Sequence, residues 1–404
     1  MSADLTLANL RAAAANRFAE AGWPTPRDEA WKFTNLARLN DRDFIAAADP
    51  AAHGADLNAD DLPDGICLVF ENGLFNAGLS SDLPQGVVLA RLDDDPARLA
   101  MIDQDKLRGH PVADRTLAEL GSGISLHVTA AVDTPVNVIF RNAGDDMAAH
   151  PLMVIDIADG AGLTLLEHHA GTGKGLSLPV MAVRLGAGAR LDHGRIQTED
   201  DDRTHLGQAV FELGEGAKYH AVSVQTGATL SRVENHLDLA GSEADVMMTT
   251  LYLARRDQVM DVTTHVNHDM PSCTSMQVVR GVLDDTARGV FQGKVKVARD
   301  AQHTDGNQMS RALLLSRKCE ADAKPELEIY ADDVACSHGA TVGEIDDAHM
   351  FYLMSRGISA EEARQMLIAA FLEDAIDGVE GDVLQDFAMA PVRVWLEANG
   401  KKGS

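Results

Sequence analysis

Ile155-Asp156-Ile157-Ala158-Asp159-Gly160-Ala161-Gly162-Leu163 sets an apolar–charged–apolar triplet ahead of a Gly-containing turn and the start of an extended run. The pattern returns as Val183-Arg184-Leu185 before Gly186-Ala187-Gly188, as Phe211-Glu212-Leu213 before Gly214-Glu215-Gly216, and as Leu237-Asp238-Leu239 before Ala240-Gly241-Ser242. The central charges recur 28, 28 and 26 residues apart. In a strand, alternate residues share a face, so each triplet can bury two side chains and present one to solvent. A period in the twenties with this alternation is the signature of a stacked solenoid, whose repeats bury their apolar faces only against one another. At about 3.3 Å per residue one repeat reaches at most roughly 90 Å, enough for a single β-helix coil with its turns. Glycines at the corners supply the φ values a tight bend needs. An antiparallel sandwich also repeats hairpins, but the regular period favours the β-helix.

The flanks read differently. Residues 1–120 are predicted to be mostly helical: Leu5 to Ala21 is Ala-rich with Leu7, Leu10, Ala14 and Phe18 at helical intervals, and Trp23-Pro24-Thr25-Pro26 ends it. Residues 121–348 form the predicted parallel β-helix core and 349–404 a C-terminal helical domain. There Ser359-Ala360-Glu361-Glu362 is a capping box. Ala363, Met366, Leu367, Ala370 and Phe371 form one apolar face, beside a second stripe of Ile368, Leu372 and Ile376. The second stripe has no evident consumer in the chain and is predicted to bind a partner. Val383 to Leu396 is a last amphipathic stretch, carrying Phe387, Val394 and Trp395.

Composition narrows the function. Aromatics make up only 4% of the 404 residues, so the core must be built from Ala, Val, Leu, Ile and Met, which suits stacked layers. A net charge of −27 without a basic stripe argues against nucleic acid and for a partner with a basic docking surface. The N-terminus lacks the basic and apolar regions of a signal peptide, and the apolar run Met366 to Leu372 is too short to span a bilayer. Cys67, Cys273, Cys319 and Cys336 form no CxxC pair, which points to a reducing cytosol.

Nucleotide and hydrolase signatures are missing. Gly171-Thr172-Gly173-Lys174 lacks Walker A spacing, and no GxSxG, HExxH or Rossmann fingerprint occurs. The chemistry concentrates in Glu326-Leu-Glu-Ile-Tyr-Ala-Asp-Asp-Val-Ala-Cys-Ser-His-Gly-Ala-Thr-Val-Gly-Glu344. Cys336 and His338 fall on one face of an extended run, and a thiol beside an imidazole suits iron or zinc. A buried Cys next to a hydrogen-bonded His is the plainer reading of that pair. His265 and His268 point to opposite faces and read as surface or hydrogen-bonded histidines. His168, His193 and His220 recur once per repeat and are expected to stack as a column. Asp332 and Asp333 read as a solvated corner before an acid–base pair.

A dense set of motifs follows Asn267: Gly289-Val-Phe-Gln-Gly-Lys-Val-Lys-Val297, Ala301-Gln-His-Thr-Asp305, Leu313-Leu-Leu-Ser316, Lys324-Pro-Glu-Leu-Glu-Ile-Tyr-Ala-Asp-Asp333, Cys336-Ser-His-Gly-Ala-Thr-Val-Gly343 and Phe351-Tyr-Leu-Met-Ser-Arg-Gly-Ile358. This region resembles the SufB/SufD family, scaffold components of the Suf iron–sulfur cluster assembly system. Glu29-Ala-Trp-Lys-Phe-Thr34 resembles that family's tryptophan motif more loosely. The resemblance implies a right-handed parallel β-helix between helical regions, and a complex with a SufB-like paralogue and a SufC-like ATPase. It implies a transient iron–sulfur cluster at the interface between paralogues, with His338 as a metal ligand and Cys336 as a weaker candidate. Ser310 and Gly339 stand where the other paralogue would supply a cysteine and a glutamate, so this chain would carry half a site. The expected role is a non-hydrolysing scaffold with no catalytic residues of its own. Whether a flavin takes part, and whether the isolated chain forms a homodimer, the sequence leaves open. The competing readings are a carboxylate-dependent β-helix enzyme acting on polysaccharide through Asp332 and Asp333, and a purely structural partner.

Overall fold

Residues 6–47, 62–102 and 106–400 are described by the computed structural model. Met1 to Leu5, where the sequence reading starts its first helix and judges the leader, lie outside them, as do the last four residues of the expected C-terminal domain.

The triplets stack. Asp156, Arg184, Glu212 and Asp238 are successive partners across four parallel strands, Leu152–Ile157, Val180–Leu185, Thr204–Leu213 and Leu230–Leu239. Their flanking residues, Ile155 and Ile157 through Leu237 and Leu239, are buried in one continuous apolar cluster inside the solenoid. The central charges face out, and Arg98 and Arg184 close over Asp156 at 2.9 and 2.7 Å. The step from 28 to 26 residues is taken up in a turn. Six residues (198–203) link the strands in one coil and four (226–229) in the next, so strand register is kept.

From Val180–Leu185 onward, strands consecutive in the chain alternate between two sheets, and each pairs with its counterpart one coil on. One sheet runs through the triplet strands to Val259–His268, Arg288–Val297 and Glu320–Ile329. The other runs through Gly162–Gly171, Arg190–Gln197, Lys218–Gln225, Asp245–Ala254, Thr274–Leu283 and Asp305–Leu314 to Ala335–Glu344. The result is a mainly β protein with a parallel β-helix core of about eight turns, with helices at both ends of the chain. One corner of each coil holds a left-handed residue, φ +68° at Gly160, +62° at Gly188 and +62° at Gly216. Glu243, Ser272 and His303 take the same conformation in later coils, where the left-handed position is not a glycine.

Each sheet's outer face is covered by one flank of the chain. Helices Leu7–Ala21 and Pro111–Ala118, with Trp31, Leu36, Ile102 and Leu107, pack on Val154, Val180, Ala182, Leu206 and Val210. Strands Ile66–Glu71 and Val87–Arg91 join the two sheets at the N-terminal end, the latter antiparallel, so the sheets begin ahead of residue 121.

The C-terminal helices Ala360–Ile376 and Asp382–Gly400 cover the other sheet. Ser359 caps the first of them, its hydroxyl accepting from Glu362 N at 3.1 Å. Here the second stripe lies against the solenoid along with part of the first face, Ala363 being buried and Phe371 packed on the same cluster. Ile368, Leu372 and Ile376 are buried against Val222, Val224, Leu251 and Val282, while Met366 of the other face is 46% exposed. The predicted partner-binding stripe is therefore consumed within the chain. Its consumer is a run of outward aliphatic positions on the solenoid, a row no single helix reveals. Phe387 of the last helix seats on Gly194, where a Cβ would come within 2.7 Å of its ring.

The histidine column is also corrected. His168 pairs with Ile196, His193 with Leu165 and Ala221, and His220 with Asp192, so the three occupy different register positions, and His193 faces the opposite way from the other two. His193 points into the solenoid, bonded to Glu167 and Tyr219 at 2.8 and 3.0 Å, whereas His220 faces Asp245 and Glu380 outside.

Candidate functional site at the open end of the solenoid

Ala335–Glu344 is the last strand of its sheet and Glu320–Ile329 the last of the other, so both present an unpaired edge. The two edges differ in kind. Glu320–Ile329 carries Pro325 and a charged outer row of Glu320, Asp322, Lys324, Glu326 and Glu328, features that protect an edge strand from pairing. Ala335–Glu344 has no proline and only one charged residue, so its edge is unprotected. Ile329, Tyr330 and Val342 are 40%, 59% and 51% exposed around the same end.

Cys336 and His338 share the inward face of this strand, as the two-residue period requires. Cys336 lies opposite Gly306 and His338 opposite Gln308. Gly306 leaves room for the sulfur, since a Cβ there would lie 3.3 Å from Cys336 Sγ. Cys336 is half-buried against the solenoid core, and burial pushes its thiol above the ordinary pKa. A thiol so placed is a poor free nucleophile and needs a metal to lose its proton. His338 is exposed because no coil follows to cover it. Directly beneath it, Gln308 is 2% exposed with neither amide atom hydrogen-bonded. Ser310 is buried one rung in, and Gly339 offers no side chain.

The other sequence candidates lie elsewhere. Asp332 and Asp333 are exposed at the corner between the last two strands, where Asp333 meets His303 at 3.1 Å. His268 is buried inside the solenoid on Ser275 at 2.9 Å, and His265 stands outside, so the two do face opposite ways. Trp31 of the tryptophan motif lies over Arg232 at 4.0 Å, and Glu29 meets Lys324 at 2.6 Å, which fixes the motif to the solenoid wall. Sequence reasoning missed Gln308 and the unpaired edge. The signal for the edge was present, since the strand pattern stops at Glu344 and a capped helix follows.

Fold and site together define a parallel β-helix protein that ends in an unprotected strand bearing an inward thiol and imidazole. The chain belongs to the SufBD family: the SUF system FeS cluster assembly SufBD core domain matches residues 140–371. It is similar to the iron–sulfur cluster assembly protein SufD of Escherichia coli, 30% identical over 92% of this chain and 89% of that protein. A SufBD family protein of Synechocystis is 29% identical over 93% and 88%, and a chloroplastic protein of Arabidopsis thaliana 25% over 97% and 86%. The assignment to iron–sulfur cluster assembly rests on this family. Among the described residues no helix is long and apolar enough to cross a membrane.

Proposed function

We propose that this chain is a non-hydrolysing scaffold subunit that contributes half of an interfacial cluster-assembly site. The observation that carries the reading is the position of His338, on the inward face of a terminal strand whose outer edge is unpaired. A partner strand added along Ala335–Glu344 would satisfy the free backbone groups and bring its own side chains to His338 and Cys336. One imidazole and one half-buried thiol are too few to hold a cluster, so assembly becomes conditional on the partner. The partner of this chemistry is a SufB-like paralogue that brings the acidic and thiol ligands replaced here by Gly339 and Ser310. Without it, the same edge supports a homodimer.

The ATPase reading moves to a new surface. With Ile368, Leu372 and Ile376 buried, the apolar groups offered by the C-terminal helices include Phe351, Tyr352, Met354 and Met366, at 75%, 55%, 47% and 46% exposure, with Val383 and Val394 on the last helix. A SufC-like ATPase docks there in this proposal, and its nucleotide-driven movement would act on the last strand through helix Asp347–Ser355, which follows Glu344 almost directly.

Anaerobic co-expression with a SufB-like and a SufC-like subunit tests the reading. The purified complex should contain all three chains and bind iron and sulfide, and His338→Ala should lose the iron and sulfide but keep the chains together. A complex that forms without Ala335–Glu344, or a His338→Ala complex with full iron and sulfide, overturns it.

A further inference from the structure

A second group of metal-ligating side chains lies on the opposite sheet, well away from the last coil's inward face. Glu234 and His236 are two residues apart on Leu230–Leu239 and so share its outer face. His265, on the next strand, is the direct register partner of His236. One carboxylate oxygen and two ring nitrogens from these three residues all lie within 4.8 Å of one another.

The surroundings hold the set in place. Glu234 Oε2 accepts from Arg232 at 2.7 Å, and Oε1 is 2.7 Å from His236 Nε2. Arg232 is clamped in turn by Asp261 at 2.6 Å and by the Trp31 ring above it. His110, at the start of helix Pro111–Ala118, covers the cluster, with Nε2 3.3 Å from Glu234 Oε2. Its Nδ1 accepts from Val112 N at 3.3 Å, which leaves the ring proton on Nε2. His110 therefore turns Nε2 toward the carboxylate, close to it but outside hydrogen-bonding geometry. The neighbouring cation Lys294, the next partner along the rung, is drawn to Glu328 at 2.7 Å.

We propose that Glu234, His236 and His265 bind a divalent first-row transition-metal cation at a site separate from His338. Two imidazoles and a carboxylate from adjacent rungs are the donor set that zinc and non-haem iron(II) take, with remaining positions left to water or an added ligand. Metal–ligand bonds of about 2.0–2.2 Å bring ligand atoms to roughly 3.3 Å from one another, so the cluster contracts on binding. The two imidazoles are stacked at 4.4 Å and 15°, and parallel rings cannot aim both lone pairs at one ion. His265, half-buried at the edge of the cluster, swings out of the stack, and the His236–Glu234 hydrogen bond opens to admit the ion. The bound cation ties two coils together beneath the N-terminal segment that carries Trp31 and His110.

The experiment uses the full chain with Cys336→Ser and His338→Ala, which removes the ligands of the other site. Zn²⁺ titrated by calorimetry should bind with one-to-one stoichiometry, and Co²⁺ should give the absorption of a nitrogen- and oxygen-ligated ion. Adding His265→Gln should weaken Zn²⁺ binding by about tenfold or more and abolish the Zn²⁺-dependent rise in melting temperature. His236→Gln should do the same. If His236→Gln fails to fold, His265→Gln alone decides. No Zn²⁺ binding in the doubly substituted parent, or binding unaffected by His265→Gln, overturns the proposal. Neither result bears on the role of His338, which is absent from every protein in the series.

Discussion

His338 stands directly across from Gln308, one rung beyond it, and among the described residues no strand lies beyond His338. Inward side chains of the earlier coils are roofed by the coil that follows, and among the described residues His338 is the inward histidine that opens to solvent. If that opening is half of an assembly site, His338→Ala should abolish cluster formation while the melting temperature stays within a degree or two. Cys336→Ser should have a milder effect, because the thiol is half-buried and held protonated by its surroundings. Iron and sulfide in the complex, measured anaerobically, compare the two. Equal losses would promote Cys336 to ligand.

The unpaired edge makes a separate prediction. Val342→Asp or Ile329→Asp places a charge at the apolar rim of the last coil, where the unsubstituted side chains are 51% and 40% exposed. Thermal stability should barely change, and association with the paralogous subunit should be lost in size-exclusion chromatography. Intact association with either substitution would move the interface away from this end.

Inside the solenoid the expectation is the reverse. Phe211→Asp buries an unpaired charge among Leu185, Leu213 and Tyr219 and should cost several kcal/mol, enough to unfold the middle coils. Glu212→Ala changes an exposed outward residue on the same strand and should be nearly neutral. Urea denaturation of both proteins checks the orientation, and a harmless Phe211→Asp would mean that the strand is inside out.

Leu372→Ala should destabilise the chain by about 2–5 kcal/mol, since Leu372 is fully buried between the helix and the solenoid. Met366→Ala, one turn and a half away on the exposed face, should leave stability unchanged and weaken binding of the ATPase. A Leu372→Ala protein with normal stability and defective partner binding would restore the stripe as a partner surface.

Acid should weaken the fold before it titrates ordinary carboxylates. Burial lowers His150 to about 3 and His168, His169 and His268 to about 4, from an ordinary 6.5. The unfolded chain binds these protons first as pH falls, so stability is full above about 6.5 and declines progressively toward pH 4. The denaturation midpoint should therefore drop between pH 7 and pH 5, and His169→Gln should flatten the slope. A midpoint constant across that range would show that these rings are not buried neutral.

Much of this protein was legible in its sequence because strand alternation and helix capping are local. The triplets at Asp156, Arg184, Glu212 and Asp238 determined which side chains face inward, and the two-residue period put Cys336 and His338 on one face. Ser359 and Glu362 marked a helix start from four consecutive residues. What the sequence could not determine is what one element meets on another. Whether His168, His193 and His220 form a column depends on adding up turn lengths between coils, and those lengths vary. Whether Ile368, Leu372 and Ile376 lie inside or outside depends on which sheet face the helix lands on, and Val222, Val224 and Leu251 supply that face only once the coils are stacked. Glu234 and His265 are 31 positions apart in the chain and become neighbours on adjacent rungs because each coil returns the backbone to its starting edge. Period is a property of the chain; register and burial belong to the assembled solenoid.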